Sequence, residues 1–295
     1  MEITKPIRLI ELFGEIGSQA MALRDIGADF EHYRLVEWDK YAVQSYNAIH
    51  GTNFETADIC KIHGSDLGIV DTDKYTYIMT YSFPCTDLSV AGKMKGMSKA
   101  DWAEGNSTRS GLLWEVERII KELKDDELPQ VLLMENVPQV HAEQNMADFE
   151  SWLAFLRSKG YYNHYADLNA KDYGIPQNRE RCFCVSILAD EFVDFEFPAP
   201  IPLTIVMKDY LEETVDERYY INNEKADKLI AELIERGQLP EQNRTEQNRL
   251  LTIDLCVKKP RAIEIANCIK ARYDAGISNL QADGSGVVEC ARSTV

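Results

Sequence analysis

Short apolar runs bounded by glycine, proline and acidic residues recur along the first two-thirds of the chain, with amphipathic stretches between them. Ile7-Arg8-Leu9-Ile10-Glu11-Leu12-Phe13 reads as a buried strand. It runs into Gly14-Glu15-Ile16-Gly17-Ser18 and a helix from about Gln19 to Ile26 that stops at Gly27. A second strand, Tyr33 to Val36, ends in Glu37-Trp38-Asp39, and a short third segment ends in Ala57-Asp58-Ile59. The fourth strand, Tyr77 to Tyr81, delivers the loop Ser82-Phe83-Pro84-Cys85-Thr86-Asp87-Leu88-Ser89. Lys93 to Ser110 shows no periodicity, as in a functional lid or a disordered segment. Between Gly111 and Lys124 the apolar residues Leu112, Leu113, Val116, Ile119, Ile120 and Leu123 form one helical stripe. Val131 to Met134 is a fifth strand ending in Glu135-Asn136-Val137-Pro138. A helix (roughly Asn145 to Ser158), a tyrosine-rich strand, the stretch Asp172 to Arg181 and a strand from Cys182 to Leu188 complete this part.

Strands alternating with helices predict an α/β fold with a doubly wound, mostly parallel sheet. The character changes at Phe197-Pro198-Ala199-Pro200-Ile201-Pro202, a proline-rich linker. The expected division is a domain over 1–197 and a smaller region over 198–295. The latter holds a charged helix (Asn223 to Arg236), a polar run (Gln242 to Asn248) and a basic segment.

Composition narrows the function classes. The net charge of −17 speaks against a surface-wide nucleic-acid binder. Residues 244–295, however, carry eight Lys and Arg against six Asp and Glu, so any polyanion contact is local to a groove. No apolar run spans a bilayer and Met1-Glu2-Ile3-Thr4-Lys5 is no signal peptide, which predicts a cytoplasmic protein. Seven cysteines without framework spacing, and no C-x-x-C or H-x-x-x-H, predict no metal; Cys182 and Cys184 share one strand face and read as core.

A strand, a glycine turn and a helix N-terminus form a cradle where backbone N–H groups approach a cofactor closely. Gly14 and Gly17 do not complete G-x-G-x-x-G, which disfavours a dinucleotide. Glu37 at the second strand end is placed to accept ribose hydroxyls, Trp38 to lie against a purine, and Asp58 is a further strand-end acid. Cys85 follows a proline that fixes the backbone, at a strand end where open α/β sheets place their ligands. Cys85, Glu135 and the pair Arg179/Arg181 emerge at one sheet edge. Together they fit addition of a thiolate to carbon 6 of cytosine, which makes carbon 5 nucleophilic. A carboxyl group serves the ring nitrogen and a guanidinium holds the carbonyl. The methyl donor is then S-adenosyl-L-methionine, and the base must be flipped out of the duplex.

Over residues 7 to about 188 the chain resembles the DNA (cytosine-5) methyltransferases, with motifs in family order. Phe13-Gly14-Glu15-Ile16-Gly17 resembles the first cofactor motif, Glu37-Trp38 the second and Asp58-Ile59 the third. Pro84-Cys85 resembles the nucleophile motif, with Thr86 where the family has Gln. Leu113 matches the cofactor contact of the fifth motif, Glu135-Asn136-Val137 the glutamate motif, and Gln177 to Arg181 the paired-arginine motif. The resemblance implies a Rossmann-like methyltransferase fold and catalytic roles for Cys85, Glu135, Arg179 and Arg181. It implies cofactor contacts at Phe13, Gly14, Ile16, Gly17, Glu37, Trp38, Asp58, Ile59, Pro84 and Leu113. It also implies double-stranded DNA as the partner, in a restriction-modification or phage setting.

Neither the Arg-x-Leu-Thr-type motif nor the Gly-Asn-Ser motif of the family follows Val288, although Ala271 to Ile277 resembles the end of a recognition domain. This leaves three alternatives beside an autonomous enzyme: an inactive remnant, a half-enzyme completed by a second polypeptide, or the same chemistry on tRNA. In the truncated readings, apolar surface on the first helix around Ala20 and Leu23 is expected to lie exposed.

Overall fold

The computed structural model describes residues 3–88, 96–106 and 108–212, and beyond these only 216, 228, 231–232, 234–236, 250–254, 261–263, 265–267 and 285–289. Most of the expected helix Asn223–Arg236, the polar run after it, the stretch Ala271–Ile277 and much of the basic segment lie outside the described residues. Along the chain come β1 (Ile7–Leu12), α1 (Ser18–Asp25), β2 (Phe30–Val36), α2 (Lys40–His50), β3 (Thr76–Tyr81), α3 (Lys99–Ala103) and α4 (Leu113–Glu122). Then follow β4 (Val131–Asn136), α5 (Met146–Ser158), β5 (Tyr161–Asn169), β6 (Gln177–Asn178), β7 (Glu180–Leu188), β8 (Leu250–Asp254), β9 (Arg261–Ala262), β10 (Ala266–Asn267) and β11 (Ser285–Glu289).

The chain forms two compact units, 1–168 with 181–197, and 169–180 with 198–295. The sequence reading divides the chain once, after 197. The segment 169–180 groups with the second unit because β6 pairs in parallel with β10, Gln177 opposite Ala266. The second unit also holds an antiparallel sheet in the order β11-β8-β9.

The first unit is built on a six-stranded sheet in the order β2-β1-β3-β4-β7-β5. The pairs β1–β2, β1–β3 and β3–β4 are parallel, whereas β7 runs antiparallel to β4. Alternation along β1 sorts the core. Ile7 and Leu9 pack with Ile78 and with Ala20 of α1, while Ile10 and Leu12 join Met79 and Tyr81 and the inner faces of α4 and α5. With α1 on one face and α4 and α5 on the other, β3 is buried at every position. Ala20 has no exposed surface and Leu23 is half-buried, so the expected exposed patch on the first helix is not built on Ala20; its methyl group fills a gap against β1 and β3.

Two further differences concern the loops. Asp58 does not end a strand: it caps a single 3-10 turn (Ile59–Lys61), accepting the Cys60 N–H at 3.1 Å. The stretch 96–110 is anchored. Ser98 caps α3, Trp114 Nε1 donates to the Met97 carbonyl at 2.8 Å, and Lys99 Nζ meets the buried Glu117 carboxylate at 2.7 Å.

Candidate active site

The sheet register decides which residues meet. Leu12 of β1 pairs with Tyr81 of β3, and Tyr81 with Met134 of β4, so the loops leaving these three parallel strands emerge side by side. The first carries Phe13 to Gly17, the second Pro84-Cys85, and β4 continues into Glu135. Because β7 is antiparallel to β4, its beginning lies at the same edge: Asn136 faces Cys182 and Glu135 faces Phe183. Arg181, one residue earlier, there places its Nε 3.0 Å from Glu135 Oε1, and both side chains are mostly buried. Arg179 belongs to the second unit; its N–H donates to Asn169 Oδ1 at 3.1 Å and its carbonyl accepts from the Ala170 N–H at 3.0 Å.

The Cys85 loop is strapped from three sides. Asn136, buried in β4, donates its Nδ2 to the Phe83 carbonyl at 2.9 Å. The Ser110 hydroxyl, with no exposed surface, donates to the Pro84 carbonyl at 2.7 Å and accepts the Asp87 N–H at 3.3 Å. Gln19 of α1 reaches Ser82 Oγ at 3.3 Å. These straps hold the two carbonyls before the thiol and the Asp87 N–H after it; the thiol is free and half-buried. Sequence reasoning missed Ser110 and Gln19: a lone polar residue in an aperiodic loop or on a helix carries no signal until its partner is known.

In the cradle, Phe13, Glu15 and Gly17 have φ of 57°, 50° and 80°. Two non-glycine residues in the left-handed region mark a loop whose shape the surroundings impose. Gly14 is required by space, since a Cβ there would lie 2.4 Å from Leu35 Cδ1. The Glu37 carboxylate accepts the Glu15 N–H at 3.2 Å on one oxygen and the Asp39 N–H at 2.9 Å on the other, tying the turn after β1 to the end of β2. Burial, reinforced by the charges of Glu37 and Asp39, pushes the Glu15 carboxyl group up. Trp38 is 73% exposed and Ile16 37% exposed beside this acidic rim. Beneath it, Glu11 has no exposed surface and takes a hydrogen bond from the Tyr46 hydroxyl at 2.5 Å, and burial raises its pKa to about 7.

Two residues of the expected cofactor set sit differently. Leu113 has no exposed surface and belongs to the main core; its neighbour Leu112, which caps the start of α4, is half-buried. Ile59 is likewise almost fully buried in that core, and the Asp58 carboxylate serves its turn and Lys61, at 3.4 Å.

The family profile described as C-5 cytosine-specific DNA methylase matches residues 7–275. The chain belongs to this family. It is 46% identical over 152 residues to the type II methyltransferase M2.ScrFI of Lactococcus lactis subsp. cremoris, covering 51% of this chain and 39% of that protein. To the orphan methyltransferase M.SssI of Spiroplasma monobiae it is 34% identical over 273 residues, 75% of this chain and 68% of that one. Set against the first of these relatives, the chain spans well under half the length. Among solved structures, the Entamoeba histolytica methyltransferase EhMeth superposes with a TM-score of 0.63 at 17% identity, over 95% of this chain and 75% of that one. At that identity the likeness establishes the fold, a Rossmann-like methyltransferase sheet.

Proposed function

We propose that this chain methylates carbon 5 of cytosine in double-stranded DNA through a covalent adduct at Cys85. The observation that carries the reading is the sheet edge: Glu135, on the strand next to the one that delivers the thiol loop, pairs with Arg181 of β7, while Asn136, Ser110 and Gln19 hold that loop in place. In this reading the Cys85 sulfur adds to carbon 6 of a flipped-out cytosine, forming a C–S bond and moving the ring π pair toward carbon 5 and nitrogen 3. Glu135 meets the nitrogen edge with a hydrogen bond, and Arg181 orients that carboxyl group and balances charge at the base carbonyl. Once carbon 5 carries the methyl group, loss of its proton to a base expels the thiolate and restores the ring. Arg179 takes its role from the paired-arginine motif.

The cradle fits S-adenosyl-L-methionine in its donor chemistry. The Glu37 carboxylate and the exposed Trp38 and Ile16 suit a nucleoside, and the acidic rim of Glu15, Glu37 and Asp39 suits a cationic ligand. When bound, that group supplies an electrophilic methyl. Phe13, Gly17 and Pro84 line the approach in this assignment, and Leu112 replaces Leu113 as the contact from α4.

The test is trapping on a duplex carrying 5-fluorocytosine in the presence of cofactor, with a tRNA bearing the same base as the second arm. A stable adduct at Cys85 on DNA, lost in Cys85→Ser, is the expected result. An adduct at another cysteine, a fully active Cys85→Ser, or trapping on tRNA alone overturns the proposal.

A further inference from the structure

Behind the Glu135–Arg181 pair lies a second cluster that methyl transfer does not use. His141 closes the one-turn helix that follows β4 (Pro138–His141), Asp167 sits on β5, and Cys182 is the third residue of β7. One donor atom from each, a nitrogen, an oxygen and a sulfur, all lie within 4.8 Å of one another. His141 Nε2 is 2.9 Å from Asp167 Oδ1 and 3.1 Å from Oδ2. We propose that His141, Asp167 and Cys182 bind a divalent cation of the zinc class, which ties the exit of β4 to β5 and β7.

Three observations carry this. The geometry is near what such an ion needs: donors held at about 2.0–2.3 Å in a tetrahedron are roughly 3.5 Å apart, so closing the cluster takes small side-chain movements. The charges match as well. Thiolate, carboxylate and neutral imidazole sum to −2, which one divalent ion neutralises. Third, the ligands are held, and two of the three are reachable. The His141 ring packs near the rings of Phe149 and Tyr165, at 6.1 and 5.6 Å between centroids; Cys182 is closed off in the sheet, while the His141 and Asp167 side chains keep 24% and 31% exposure.

A mixed sulfur, nitrogen and oxygen set selects zinc-like ions over magnesium or calcium, which take oxygen ligands. Three protein ligands leave a fourth position for water. The role is structural: Cys182 is the residue after Arg181 and faces Asn136 across the ladder, so the ion would clamp the strand ends that present Glu135 and Arg181. The sequence expectation of no metal rested on local spacing, and these ligands come 26 and 15 residues apart on three elements.

The experiment uses the full chain, stripped with chelator and titrated with Zn²⁺ against a chromophoric competitor and with Co²⁺ by absorbance. The expected result is one equivalent per chain, with a sulfur-to-cobalt charge-transfer band. Cys182→Ser abolishes that band, while Cys184→Ser, on the same strand and also buried, keeps it. His141→Gln and Asp167→Asn weaken zinc by at least about tenfold. Should Cys182→Ser fail to fold, judged by circular dichroism, the more exposed His141→Gln decides alone. Absence of stoichiometric binding, or unchanged binding in His141→Gln or in folded Cys182→Ser, overturns the proposal.

Discussion

Ser110→Ala removes a single oxygen from a site without solvent exposure, and that oxygen bridges both flanks of the nucleophile. The Pro84 carbonyl loses its donor at 2.7 Å and the Asp87 N–H its acceptor at 3.3 Å. Leaving a buried group unpaired costs about 1–3 kcal/mol. The shorter bond dominates, because the 3.3 Å contact is near the limit of a hydrogen bond. We therefore expect about 2 kcal/mol of lost stability and a thermal midpoint lower by about 4 °C. The kinetic effect is larger than this number implies. A displacement of about 1 Å at a reacting atom can cost about 100-fold, so single-turnover adduct formation on 5-fluorocytosine DNA should slow by roughly 10- to 100-fold. Affinity for S-adenosylhomocysteine, measured by calorimetry, should fall less than the adduct rate, since Pro84 is the one assigned cofactor contact that the lost strap touches. A variant that shows the stability loss yet forms adduct at the wild-type rate refutes the positioning role.

Glu37→Ala should weaken S-adenosylhomocysteine binding by about 10- to 150-fold, the equivalent of roughly 1.5–3 kcal/mol for charge-assisted bonds; unchanged calorimetric affinity removes Glu37 from the site. Gly14→Ala forces a methyl group to within 2.4 Å of Leu35 Cδ1, and we expect about 1–3 kcal/mol of destabilisation, read as a lower urea midpoint. Glu11 titrates near 7 in the fold against an ordinary value of 4.5, so the unfolded chain ionises first and this group takes stability away as pH rises from about 4.5 to 7. The loss totals roughly 3 kcal/mol by the linkage relation, and in Glu11→Gln the fall attributable to this group should vanish in urea titrations at pH 5 and pH 8.

Much of the first unit was legible because its strands are apolar runs that end at glycine or acid, and because Cys85 and Glu135 follow such runs directly. What escaped was set by partners rather than by local pattern. Helix α2 shows the sequence little, since only Val43 and Tyr46 are buried along it, and its start rests on Asp39 capping the N–H groups of Tyr41 and Ala42. Leu112 and Leu113 are equivalent in a periodicity argument; the packing of α4 buries one and leaves the other half open. Asp58 looked like a strand-end acid because an Asp after an apolar stretch and an Asp capping a 3-10 turn read the same. Arg181 could be named from its motif, but its contact with Glu135 depends on the antiparallel ladder between β4 and β7. The cluster of His141, Asp167 and Cys182 lay beyond any local reading for the same reason.

The assignment of 169–180 to the second unit bears on how this protein can be cut. A stop codon after Phe197 does not yield a free-standing catalytic unit: it deletes β10 and leaves Gln177 and Asn178 without their ladder partners, baring backbone N–H and C=O groups in the stretch that leads into Arg181. Since β5 and β7 are neighbours in the sheet, the cleaner excision removes 169–180 as well and rejoins the two strands through a short designed turn. The same logic governs grafting. A recognition region transplanted from another protein must bring its own version of both pieces, because the segment between β5 and β7 and the chain beyond 197 are halves of one folding unit.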